Sequence, residues 1–139
     1  MVQFILGSHG SLAGGTVSAL ELLFGRKENV AFVNAYVDDS DPGEQLAELL
    51  IRVPADGQCI LFADILGGSV HQKMVRFLED PRVELITGYN LATVLEFVMG
   101  EKERYSQEEI ERIVEQGREH LQYVKRLEQK TDEDDFFEE

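Results

Sequence analysis

Two residues far apart in the chain carry the clearest chemistry: His9 in "FILGSHGSLAGG" and Asp64 in "LFADILGGS". A neutral imidazole titrates near neutrality and has two distinguishable nitrogens. A carboxylate such as Asp64, accepting a hydrogen bond from one nitrogen, would fix the tautomer. The other nitrogen would then keep a lone pair for nucleophilic attack, and the carboxylate would stabilise positive charge developing on the ring. Both residues stand beside turns rich in glycine and serine. Turns of this kind that open onto helices present backbone N–H groups and a positive dipole end, which suit a phosphoryl group. Ser69 can cap its helix, donate to a phosphoryl oxygen, or both.

Other arrangements of the same residues are open. "GSLAGGT" from Gly10 has the glycine spacing of a nucleotide-binding P-loop, but its lysine is missing, and nucleotide β/γ-phosphates lose their main charge partner without it. The dinucleotide fingerprint G-x-G-x-x-G is missing too. A hydrolase built from Ser8 or Ser69 with His9 and Asp64 lacks the G-x-S-x-G nucleophile elbow. His9, His71 and Asp64 are a conceivable metal set, yet the expectation is that no metal or other cofactor is needed.

The elements that must position these residues alternate short strand-like runs with longer helical patterns. "VQFIL", "VAFVNAYV", "QCILFADI" and "VELITG" read as strands. Between them, "LAGGTVSALELLFG" keeps a helical stripe, and Pro42 suits the first turn of a helix running through "LAELLIRV". "GGSVHQKMVRFLED" is a third helix ended by Pro81, and "NLATVLEFVMG" is a fourth. "SQEEIERIVEQGREHLQYVKRLEQ" reads as one long amphipathic helix, with Ser106 and Glu109 in capping-box spacing. Such βα units predict an α/β fold, a doubly wound, mostly parallel open sheet with helices on both faces. In a parallel sheet ligands bind beyond the carboxyl ends of the strands. Those ends lead into Ser8-His9-Gly10, Asp38-Asp39, Asp64 with Gly67-Gly68-Ser69, and Thr87 to Asn90. The expected site is therefore His9 and Asp64, ringed by Ser8, Gly10, Gly67, Gly68, Ser69 and Asn90.

Composition bounds the partners. The 139 residues suit one domain over 1–130, followed by an acidic tail, "TDEDDFFEE", read as disordered. A net charge of −14 argues against nucleic acid, whose binding needs clustered Lys and Arg, and against an anionic membrane surface. The single cysteine, Cys59, excludes an internal disulfide and reads as a small buried hydrophobe. No stretch approaches the roughly 18 apolar residues of a membrane span, and the chain reads as cytoplasmic. His71, in the first turn of the third helix, is either a half-exposed helix residue or part of the site's rim; His120 reads as structural or solvent-facing.

"ILGSHGSLAGG", "LFADILGGS" and "ITGYNL" together resemble the signature stretches of the mannose-family enzyme IIA of the bacterial sugar phosphotransferase system, over roughly residues 2 to 125. The resemblance implies a phosphoryl carrier that takes phosphate from the phosphocarrier HPr onto His9 and hands it to an enzyme IIB. Asp64 would be the orienting partner, and Ser69 would line the phosphoryl pocket. The family fold implies one antiparallel edge strand exchanged between the copies of a homodimer; by position it would fall in "EKERYS". Enzyme IIB is expected on a separate chain, with membrane IIC and IID components acting downstream. The chain departs from the family's usual pattern at Val70-His71-Gln72 and at Ala92-Thr93. A sister family, which phosphorylates dihydroxyacetone kinase, shares the S-H start but usually has L-G-S-A where this chain has "ILGGS". The altered stretches leave a regulatory interaction module on the same fold as the alternative.

Overall fold

A computed structural model describes residues 1–126. The elements run β1 (Gln3–His9), α1 (Leu12–Phe24), β2 (Val30–Ala35), α2 (Pro42–Ile51), β3 (Cys59–Ala63), α3 (Ser69–Val75), β4 (Val83–Thr87), α4 (Leu91–Met99) and α5 (Gln107–Arg118), with a single 3-10 turn at Arg76–Glu79. The four strands form one sheet of order β2-β1-β3-β4. Every pairing is parallel.

Strand alternation splits the core in two, because successive side chains leave a strand on opposite faces. Phe4 and Leu6 of β1, Ile60 and Phe62 of β3 and Ile86 of β4 pack with α1, α4 and α5. Ile5, Leu61, Ala63 and Val83 face the other way, against Leu46 and Leu50 of α2 and Val70 and Met74 of α3. Phe62, Leu6, Leu61 and Phe97 are fully buried; burying side chains of this size contributes about 1.5–3 kcal/mol each. The helices thus cover both faces, as a doubly wound sheet requires. The chain winds from β1 out to β2, then crosses back over β1 to β3 and on to β4. Between β1 and β3 lies the point where the winding changes direction, so the loops after them diverge and leave a crevice at the carboxyl edge.

Local signals account for the starts of α2 and α5. Asp41 accepts from Gly43 N at 2.8 Å and caps α2, with Pro42 in the first turn. The capping box at α5 is closed by Glu109 N to Ser106 Oγ (3.1 Å) and Ser106 N to Glu109 Oε1 (3.0 Å).

Two expectations need correction. The last helix does not continue through residue 126: it stops at Arg118. Gly117 weakens the helix there, and its carbonyl accepts from Asn90 Nδ2 at 2.8 Å. A donor from the start of α4 thus stands at a carbonyl that a continuing helix would need for itself. The third helix is only seven residues of α-helix before it tightens into the 3-10 turn. Within the single chain "EKERYS" pairs with no strand, and its exchange between two copies stays an expectation. The buried Gln58 holds it by the main chain, Tyr105 N donating to Gln58 Oε1 (2.7 Å) and Gln58 Nε2 donating to Tyr105 O (2.9 Å), while Tyr105 Oη donates to Phe97 O (2.6 Å). A side-chain amide thus does what a neighbouring strand would do. No antiparallel strand occurs among the described residues, and the acidic tail lies outside them. No helix among the described residues is long and apolar enough to cross a membrane.

Candidate functional site

The sheet register brings the two expected residues together. Gly7 of β1 stands opposite Ala63 of β3. His9 therefore projects two residues past that row and Asp64 one residue past it, each at its strand's end. The carboxylate grips His9 twice through one oxygen. Asp64 Oδ2 accepts the His9 backbone N–H at 2.9 Å and lies 3.0 Å from His9 Nδ1. Its other oxygen, Oδ1, accepts the N–H of Ile65 at 3.0 Å. The Asp64 side chain is only 4% exposed, whereas that of His9 is 42% exposed. Burial pushes the Asp64 carboxyl up. The His9 backbone and ring hydrogen bonds and the nearby imidazole charge outweigh that, holding it below its usual value of 3.8. The carboxylate is therefore ionised at neutral pH and acts as an acceptor, so Nδ1 carries the proton.

The far nitrogen has different company. Ser69 Oγ lies 3.1 Å from His9 Nε2, and Tyr36 Oη donates to Ser69 Oγ at 2.8 Å. Because Nδ1 carries the proton, Nε2 is bare and accepts from Ser69 Oγ, while Tyr36 fills one of the serine's two lone pairs. The result is a directed chain from Tyr36 through Ser69 and His9 to Asp64. The Tyr36 ring stands 5.5 Å from the imidazole, tilted by 45°. The sequence pattern does not reveal this residue, because the apolar run of the second strand continues through Val37. The strand ends at Ala35, and Tyr36 turns away with φ +67°. The one available signal is an aromatic residue shortly before an acidic loop at the expected edge.

The remaining expected residues divide. Gly68 packs close: a Cβ there would lie 3.4 Å from His9 Cε1 and 3.3 Å from the Ile65 carbonyl. Gly67 and Gly10 adopt left-handed backbone, φ +77° and +60°, which glycine takes without strain. Gly10 N donates to Ala35 O at 2.8 Å, so its amide is committed to the turn. Ser8 is not a pocket residue by its side chain. It is fully buried on the opposite face of β1, with Oγ accepting from Ala13 N at 2.6 Å, so it anchors the start of α1. Asn90 is likewise committed elsewhere, its Oδ1 accepting from Thr93 N (2.9 Å) to cap α4 while its amide binds Gly117. Asp38 turns back to the N–H of Ser40 (2.8 Å), and both Asp38 and Asp39 are exposed. His71 Nδ1 lies 2.9 Å from Thr87 Oγ1, toward β4. No group of three or more His, Cys, Asp or Glu that could hold a metal comes together among the described residues.

Two of the altered positions, Val70 and Thr93, are structural here. Val70 is buried in the core layer that α3 shares with α2. Thr93 is buried, donates to Asn90 Oδ1 at 2.6 Å, and occupies the space a side chain at Gly117 would need.

Comparison with known proteins bears on the family and the fold. Residues 3–114 match the profile of the family EIIA-man, described as the phosphotransferase system fructose IIA component. The mannose-specific EIIAB component of Escherichia coli K12 is 27% identical over 133 residues; the match takes in 89% of this chain, which spans about 40% of that relative's length. A crystal structure from Klebsiella pneumoniae, a candidate permease of the phosphoenolpyruvate-dependent sugar phosphotransferase system, superposes with a TM-score of 0.80 at 32% identity, covering 88% of this chain and 90% of that one. The mannose/sorbose-specific IIA subunit from Enterococcus faecalis shares the fold, with a TM-score of 0.75 at 23% identity over 88% and 94% of the two chains. With four-fifths of its length matched by one profile and its fold shared with these structures, the chain belongs to the mannose-type enzyme IIA family and is a component of the sugar phosphotransferase system.

Proposed function

We propose that this protein is a phosphoryl carrier, taking phosphate from HPr onto His9 Nε2 and passing it to an enzyme IIB. The observation that carries the reading is the polarity of the imidazole. Nδ1 is held at 3.0 Å by an ionised, nearly buried carboxylate, and Nε2 is turned to the open edge beside a serine hydroxyl. The Nε2 lone pair attacks phosphorus and the Nε2–P bond forms as the bond from phosphorus to the donor atom breaks. The donor leaves with the electron pair. The proton on Nδ1 stays where it is, and the ring becomes cationic beside Asp64, which neutralises it. Ser69 Oγ, released from Nε2, donates to a phosphoryl oxygen. Transfer to enzyme IIB runs the same steps in reverse.

Membrane IIC and IID components stand downstream on this reading, the site of action is cytoplasmic, and a second copy of the chain is the expected dimer partner. The outer edge of β4, unpaired among the described residues, supports the last of these. Phosphoenolpyruvate, enzyme I and HPr are expected to place one acid-labile, base-stable phosphate on the protein, and His9→Ala abolishes it. A phosphate that persists in His9→Ala refutes the assignment. A wild-type protein that accepts none, yet retains a regulatory protein, points instead to an interaction module on the same fold.

A further inference from the structure

Tyr36 stands out on three counts. It is a non-glycine residue held at φ +67°, a conformation that costs an ordinary residue of order 1 kcal/mol and persists where the surroundings impose it. Its ring is about half exposed, so burial of the side chain does not account for the strain. Its hydroxyl is nonetheless committed, donating to Ser69 Oγ at 2.8 Å. Its hydroxyl thus engages the serine and its ring stands beside His9, the two groups that meet at Nε2.

We infer that Tyr36 is a positioning residue, which points the Ser69 proton at His9 Nε2 and so selects the nucleophilic tautomer of His9 from the side opposite Asp64. The reasoning is one of donors and acceptors. A serine hydroxyl carries one proton and two lone pairs, and left alone it rotates to suit its surroundings. Facing a bare Nε2 it donates, and facing a protonated Nε2 it accepts, so by itself it discriminates little between tautomers. Tyr36 tips that balance: its bond fills one of the serine's two lone pairs and polarises the serine O–H into a better donor. A protonated Nε2 would then meet an oxygen already engaged by another donor. The tilted phenol, 5.5 Å from the imidazole, keeps the three side chains in line. Asp64 favours the same tautomer from Nδ1, so the two devices reinforce each other. The inference deepens the carrier reading and rests on it only for the kinetic part of the test.

The test is a double-mutant cycle on the full chain with Tyr36→Phe, Ser69→Ala and the double variant, read in two ways. Imidazole 15N chemical shifts of His9 in unphosphorylated protein, above the pH at which the ring titrates, report the tautomer ratio. Transfer from phosphorylated HPr reports the rate. Tyr36→Phe, which keeps the ring, is expected to lower the population of the Nδ1–H form relative to the other tautomer and to slow transfer, each about fivefold, as for one hydrogen bond of ordinary net strength. In the Ser69→Ala background the same change is expected to do nothing further, because the residue it acts through is gone. A Tyr36→Phe effect that survives intact in that background overturns the inference, and so does a Tyr36→Phe protein with an unchanged tautomer ratio. Should His9 accept no phosphate at all, the carrier reading fails while the 15N measurement still decides the role of Tyr36.

Discussion

Replacing Asp64 by asparagine removes one charge and almost no volume, and its effect can be worked out atom by atom. If the amide oxygen takes the place of Oδ2, it still accepts from His9 N and from Nδ1, but the NH2 group is left facing the N–H of Ile65, donor against donor. If the amide flips, the NH2 group faces the His9 backbone N–H and pushes the ring proton to Nε2, which blocks the nucleophile. Neither orientation neutralises the cationic ring formed on phosphorylation. A full charge pair at the observed 3.0 Å is worth about 5.5 kcal/mol at an effective dielectric of 20 and about 1.4 kcal/mol in bulk water. The imidazole is 42% exposed, so the loss falls between these limits, near the about 2–3 kcal/mol at the upper end for hydrogen bonds to charged groups. That corresponds to a transfer rate roughly 30- to 150-fold slower. Single-turnover quench-flow with phosphorylated HPr measures it directly. A rate within threefold of wild type would falsify the role given to the carboxylate. The same substitution changes acid stability. Because the native carboxyl titrates below 3.8, its contribution is fully present above that value and is lost as pH falls through the lower native value. Asp64→Asn is expected to flatten that acid limb in pH-dependent unfolding, and an unchanged limb counts against the depressed titration.

Two further outcomes concern the scaffold. Gly117→Ala drives a methyl group into Thr93, whose hydroxyl is bound to Asn90, and is expected to lower stability by about 1–3 kcal/mol in denaturant unfolding, as overpacking does; Thr93→Ala should recover part of that loss, and a variant as stable as wild type would remove the account of how α5 ends. Burial pushes the Cys59 thiol up to about 12, so the native protein is expected to resist iodoacetamide at neutral pH and to react only on unfolding. Rapid alkylation under native conditions would show that β3 is more open than its packing implies.

Much of this architecture is legible in the sequence because parallel strands leave strong traces. "CILFA" is apolar throughout, as a strand covered on both faces must be. The meeting of His9 and Asp64, 55 residues apart, follows from their places just beyond the ends of two adjacent parallel strands, β1 and β3. The features that escape are set by side-chain direction and by tertiary contacts. Ser8 and His9 are neighbours in sequence, and for that reason they face opposite layers, one buried under α1 and the other at the crevice. Asn90 carries a loop-like signature that fits a pocket or a cap equally well, and only its contacts to Thr93 and Gly117 decide for the cap. The amphipathic pattern beyond Arg118 is real, but the helix there meets a carbonyl already taken by another element. Tyr36 escapes because left-handed backbone in a tyrosine has no sequence signature.

The double grip of Asp64 Oδ2 on one residue's main chain and ring bears on energetic economy. Backbone and imidazole are locked to the same atom before any partner arrives, so accepting a phosphoryl group calls for little more than the rotation of one hydroxyl. A relay that must give up what it has just received gains nothing from a deep well on either side. On the carrier reading, a cradle already formed in the empty state needs little reorganisation for transfer either way. Direction is then imposed by the supply of donor and acceptor rather than by the carrier itself.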